Sequence, residues 1–158
     1  MNIIGFYGYT NQYGFLSQHY KSDFVVDNIK YNCTEQYMMA QKAKLFGDDE
    51  IYQKILTAKE PFEHKKLGRL VKNYKEDQWI ANREQIVYTG NINKFSQNIK
   101  LKKLLLETGD AILVEASPYD KIWGVGLKYT DPRLQDPKKW NGLNLLGKIL
   151  MKVREELS

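Results

Sequence analysis

Four helical patterns follow one another between residues 34 and 89 with no strand pattern between them, and that run limits the folds open to this chain. The segments are 34–46, 49–58, 62–73 and 77–89. The first opens on Thr34, a good N-cap, with Glu35 in its first turn and Gly47 as its stop. Pro61 suits the start of the third, because an N–H at that position would go unpaired anyway. "NKFSQNIKLKKLLLETG" adds one or two helical pieces ending at Gly109, and the chain closes on the amphipathic "GLNLLGKILMKVREEL". Strand patterns are few. "IIGFY" (Ile3 to Tyr7) is one, and "DFVVDNIKYN" alternates around Asp27-Asn28, a hairpin signal. "AILVEAS" (Ala111 to Ser117) is the best strand of the C-terminal half. From Pro118 to Trp140 the chain reads as irregular, and so long a structureless stretch is usually functional. About six helices against three or four short strands predict an α+β, helix-dominated (mainly α) single domain over 1–158 with a small β component. The lack of βαβ alternation argues against a parallel sheet.

The chain has 158 residues, enough for one domain with its own core. It is 42% hydrophobic and 27% charged, the profile of a globular protein. No run of about 18 apolar residues occurs, which argues against a membrane span and a membrane partner. The start, "MNIIGFYGYTNQYG", lacks the pattern of a secretory signal, so a cytoplasmic location is expected. The single Cys33 has no disulfide partner within the chain, and no metal-ligand spacing surrounds it. The net charge of +5 suits a phosphorylated ligand, though such basicity often serves solubility alone.

Chemistry-bearing residues stand out in four places. Glu35 and Lys42 are seven apart, so they share a helix face about two turns apart, with Met38 and Met39 between them. They form either a half-buried ion pair, a solvated helix edge, or a carboxylate and an amine turned toward a ligand. In "LVEASPYDKIWGVG", Glu115 ends a strand, and Asp120, Trp123, Gly124 and Gly126 follow. Such a loop can lift a carboxylate into a site and let backbone approach a phosphate, or it is a turn around a core Trp. Arg69 in "KKLGRLVKN" is either a bidentate phosphate clamp or an ordinary exposed arginine. Asn144 lies in an apolar run at a helix start, where capping is the plainest role. His19 and His64 show no ligand spacing, and His64, among lysines, reads as solvated. No GxGxxG, Walker loop, HExxH or nucleophile elbow is present. Carboxylates, an amine and a Trp beside glycines suit a sugar or nucleotide ligand.

Together these segments resemble the YbiA-like family, also called NADAR proteins. "TEQYMMAQKAKLFGD", "LGR" at Leu67 to Arg69, "NKFSQN", "LLLETGDAILVEASPYDKIWGVG" and "NLLGKILMKVREEL" follow in the family's order and spacing. The family usually has Ser-Asn-Phe after its N-terminal strand, whereas "FLSQHY" places Gln18 and His19 at the Asn and Phe positions. The resemblance implies a helix-dominated fold with a small β component, and hydrolysis of N-glycosidic bonds without metal or organic cofactor. Some relatives cleave phosphoribosylated pyrimidine intermediates of riboflavin synthesis; others remove ADP-ribose from guanine in nucleic acid. The expected partner is thus a phosphoribosylated or ADP-ribosylated small molecule, or ADP-ribosylated nucleic acid. A non-catalytic ADP-ribose or NAD sensor is the further alternative. On this resemblance Glu35 and Asp120 are the catalytic carboxylates, with Glu115 the substitute for either. Lys42 either holds charge as a cation or attacks an opened ribose C1 as an amine. Trp123, or Trp140 in its place, stacks on the base beside Gly124 and Gly126; Arg69 pairs with phosphate and Asn144 holds a ribose hydroxyl. A nucleic-acid substrate would also need a basic groove, for which Lys65, Lys66, Lys72, Lys100, Lys102 and Lys103 are available, unless they are solvated helix faces.

Overall fold

The computed structural model describes residues 2–158. In chain order its elements are β1 (Ile3–Phe6), β2 (Phe24–Val26), β3 (Ile29–Tyr31), α1 (Thr34–Leu45), α2 (Asp49–Thr57), α3 (Pro61–Gly68), α4 (Glu76–Ser96), α5 (Ile99–Glu107), β4 (Ile112–Glu115) and α6 (Leu145–Leu157). Short 3-10 turns occur at Gly14–Leu16, Pro132–Gln135 and Pro137–Lys139. Six helices against four short strands give the helix-dominated α+β class expected from the sequence. The chain divides into two units, one of Gln18–Asn98 and one of residues 2–17 with Ile99–Ser158.

In the unit of Gln18–Asn98, α1 packs against α2, α3 and α4. Every residue from Thr34 to Ala40 is buried, so α1 is a core helix without a solvent stripe. Its cap is Cys33 rather than Thr34: the Gln36 N–H donates to the Cys33 Sγ at 3.4 Å. The Thr34 hydroxyl instead donates to the Gln18 carbonyl at 3.3 Å. The β2–β3 hairpin turns at Asp27 and Asn28, both with positive φ (51° and 65°), as the sequence signalled.

Two helix ends differ from expectation. The third helix stops at Gly68, not residue 73; the Met39 side chain occupies the space a Cβ at Gly68 would need, and beyond it the chain turns back. There the Lys72 N–H donates to Asp48 Oδ2 at 2.8 Å, while Asp48 Oδ1 caps α2 by accepting from Ile51 N–H at 3.1 Å. The fourth helix does not end at residue 89 but runs to Ser96 through Gly90. A Cβ at Gly90 would stand 2.9 Å from Tyr37 Cδ2, so this glycine permits close helix packing and does not break the helix.

In the other unit, β1 and β4 pair in parallel, from Ile3 opposite Ile112 to Phe6 opposite Glu115. This overturns the expectation of no parallel sheet. A parallel pair needs a long crossover, and here more than a hundred residues separate the strands, so no local βαβ pattern announces it. Helix α6 packs on β4, and Val114, Ala116, Val125, Leu127 and Leu134 form a core with Ile3, Ile112 and Trp140 against it. Trp140 is tied there by its indole N–H, which donates to the Leu134 carbonyl at 2.9 Å. No helix among the described residues is long and apolar enough to cross a membrane.

Candidate active site

Helix α1 carries Glu35 in its first turn, where the Glu35 N–H donates to the Gln18 carbonyl at 3.0 Å. Its side chain is only 6% exposed. Oε1 lies 3.5 Å from His19 Nε2, while Oε2 is buried with no hydrogen-bond partner among the described residues. A buried polar group left unpaired costs about 1–3 kcal/mol, and more when charged, so such groups mark strained or functional positions. The segment that positions His19 is itself fixed: Gln18 Nε2 reaches Met38 Sδ at 3.7 Å, and Asn91 Nδ2 donates to Gln18 Oε1 at 2.9 Å.

Lys42 does not form an ion pair with Glu35. Its Nζ lies over the rings of Tyr74 and Trp79, 4.8 and 5.7 Å from their centroids. Burial depresses the Lys42 pKa; the Glu35 charge opposes that shift, and the Arg69 charge adds to it. Arg69, read from a separate segment, is therefore brought within electrostatic reach of Lys42, which also feels Glu35 on its own helix. Tyr74 and Trp79 were missed, because they belong to the turn after α3 and the start of α4 and carry no motif.

A second set of ionisable groups lies beside Glu35. His64, expected to be solvated, is completely buried. Its Nε2–H donates to the Ala58 carbonyl at 2.7 Å, which leaves Nδ1 facing the Cys33 Sγ at 3.6 Å. Burial lowers the pKa of His64 and pushes that of the Cys33 thiol up to about 12, so the pair is a neutral imidazole and a thiol. Lys94 on α4 is also fully buried, with Nζ 4.9 Å from the Phe95 centroid and 5.5 Å from that of Tyr20. Burial pulls its pKa down to about 7.

The remaining expected residues gather in the other unit. Asp120 Oδ1 accepts from the N–H groups of Ile122 and Trp123, both at 2.9 Å, and so shapes the loop. Three carbonyls of that loop cap α6: Asn144 N–H donates to Gly124, Leu145 N–H to Ile122 and Leu146 N–H to Trp123. The first two N–H groups of the helix, Leu145 and Leu146, thereby have backbone partners. Asn144, in left-handed conformation, ties β4 to α6, its Oδ1 accepting from Glu115 N–H at 3.0 Å and its Nδ2 donating to the Leu113 carbonyl at 3.0 Å. A Cβ at Gly124 would meet the carbonyls of Asp120 and Glu115 at 2.9 Å, and Gly126 has φ of 69°, so both glycines serve the loop's own packing.

A buried carboxylate with a free oxygen, a histidine against it and a lysine of depressed pKa nearby are the equipment of an acid–base or covalent hydrolase. Residues 5–158 match the NADAR domain model, and the chain belongs to that family. It is 50% identical over 127 residues to N-glycosidase R617 of Acanthamoeba polyphaga mimivirus, covering 80% of this chain and 75% of that protein. It is 33% identical over 154 residues to riboflavin biosynthesis protein VVA0006 of Vibrio vulnificus, covering 98% of this chain but only 38% of that longer protein. The NMR structure of the E. coli protein YbiA is similar throughout, with a TM-score of 0.82 at 31% identity, covering 99% of this chain and 84% of that one. The enzyme class that these relatives define is that of hydrolases acting on N-glycosyl compounds.

Proposed function

We propose that the chain hydrolyses the C1–N bond between a phosphorylated ribose and a base. The observation that carries this reading is the buried Glu35 carboxylate with its unpartnered Oε2. Breaking the bond develops positive charge at C1, which a carboxylate stabilises while it takes a proton from the attacking water. Arg69, exposed at the end of α3, is suited to the phosphate. The name of the Vibrio relative supports a riboflavin-pathway intermediate as the substrate class. An ADP-ribosylated guanine offers the same ribose–base bond, so both substrates belong in one assay. Free base and a reducing phosphorylated ribose are the expected products. Tight ADP-ribose binding without turnover of either substrate would instead identify a sensor.

Lys42 fits the covalent branch of this chemistry. Burial and the Arg69 charge both favour its neutral amine, the form that attacks C1 of an opened ribose. The base then departs, and water hydrolyses the resulting imine. Borohydride added during turnover should fix the sugar to Lys42, visible as a mass gain on its peptide, and Lys42→Arg should be nearly inactive because Arg keeps the charge but is no nucleophile. An untrapped enzyme together with an active Lys42→Arg variant would leave Lys42 as a cation only. Asp120, Glu115, Trp123, Gly124, Gly126 and Asn144 enter this reading only through substitution, as tested below for Asp120.

A further inference from the structure

Glu35 is 6% exposed at its side chain, and a base buried that deeply must hand on the proton it takes before the next turnover. Among the described residues, His19 lies against its carboxylate, and Cys33, Lys42 and His64 are near enough to feel its charge. Cys33 and His64 are fully buried, held to each other, and the ring's second nitrogen is taken by the Ala58 carbonyl. Lys42 is turned onto the Tyr74 and Trp79 rings. His19 combines contact and exit: Nε2 is 3.5 Å from Glu35 Oε1, and its side chain is 29% exposed against 6% for Glu35.

We propose that His19 is the proton relay of Glu35, a positioning residue that acts through the carboxylate; the inference rests on the hydrolase reading above. The water oxygen bonds to C1, its proton passes to Glu35, and the C1–N electron pair leaves with the base. Protonated Glu35 hands that proton to Nε2 of neutral His19. The imidazolium, whose side chain is 29% exposed, then gives up a proton to solvent and returns to the neutral ring. The departing base takes one proton from solvent, so the sum is one water consumed and one N–H and one O–H formed. Histidine suits the task because it gains and loses a proton within the physiological range.

The test is turnover by wild type, His19→Ala and His19→Gln, with and without added imidazole. Loss of the relay should lower kcat by about tenfold or more while KM stays within about twofold. Imidazole buffer should restore much of that loss in His19→Ala, because a small base can carry the proton from the vacated space. His19→Gln, close to the native size, covers the case in which the alanine variant fails to fold; its rate should rise with buffer concentration where the wild-type rate does not. Full activity of both variants, or a loss that no buffer restores, would overturn the relay and leave the hydrolase reading standing. A wild type that turns over neither substrate class would overturn both.

Discussion

Burial gives several residues of this protein chemical properties that their positions in the sequence do not show. Lys94 is the plainest case. It lies in the "NKFSQN" segment, which gives no sign of burial, yet it is fully buried with its pKa down to about 7. The consequence for stability has a definite sign. Between pH 7 and the ordinary lysine value near 10, the unfolded chain binds this proton and the folded chain does not, so stability rises with pH. Urea unfolding between pH 7 and 8 should show that rise, up to about 1 kcal/mol per pH unit, and Lys94→Met should flatten it. The window stops there because Cys33 works in the opposite direction: its folded pKa of about 12 exceeds the unfolded value near 8.5, so stability falls as pH passes that value. A slope unchanged in Lys94→Met would show that its amine does not lose its proton on folding. Asp120 is the residue whose expected role calls for a separate test. Asp120→Asn retains an Oδ1 acceptor for the Ile122 and Trp123 N–H groups while removing the charge. If Asp120 is the second carboxylate, turnover should fall about 100-fold or more with the melting temperature unchanged. Activity near that of wild type would leave it the loop-forming role its geometry displays.

At the level of elements, local signals were legible where the local chain decides and silent where packing decides. The hairpin turn followed from Asp27-Asn28 because positive φ at two successive residues is a local requirement. The α2 cap at Asp48 is likewise local, but the second use of that carboxylate, on Lys72 N–H, joins segments more than twenty residues apart. Gly90 shows how the two kinds of information differ. Helix propensity alone makes Gly→Ala worth about 1 kcal/mol in favour of the helix. Here the new methyl would press on the Tyr37 ring at 2.9 Å, and overpacking a core costs about 1–3 kcal/mol. Gly90→Ala should therefore lower the melting temperature, measured by thermal unfolding; a rise would mean that Tyr37 yields freely. The same reasoning explains Glu35 and Lys42. Their seven-residue spacing put both on one helix face, but nothing in that spacing shows that α1 is buried almost throughout. That burial leaves Oε2 unpartnered and turns Lys42 onto aromatic rings from another segment.

For the whole molecule, the NADAR match over residues 5–158 spans both units, so the family is defined by residues of each. The helix count and class were readable because six periodic segments are long enough to show. The parallel pairing of Ile3–Phe6 with Ile112–Glu115 was not, since its partners lie in the two separate stretches of that unit's chain and its strands are four residues each. The candidate site could be read from the sequence only as residue types, not as an arrangement: His19 appeared as a histidine without ligand spacing and as a departure from a family pattern, and Trp79 not at all. The central claim is that Glu35 performs N-glycoside hydrolysis. Its most direct test is chromatographic release of free base from a phosphoribosylated pyrimidine and from an ADP-ribosylated guanosine, by wild type and by Glu35→Gln, with both proteins first shown to melt within a few degrees of each other. Wild type should release base from at least one substrate, and Glu35→Gln should do so about 100-fold more slowly or less. A well-folded Glu35→Gln variant that matches wild type would contradict the account.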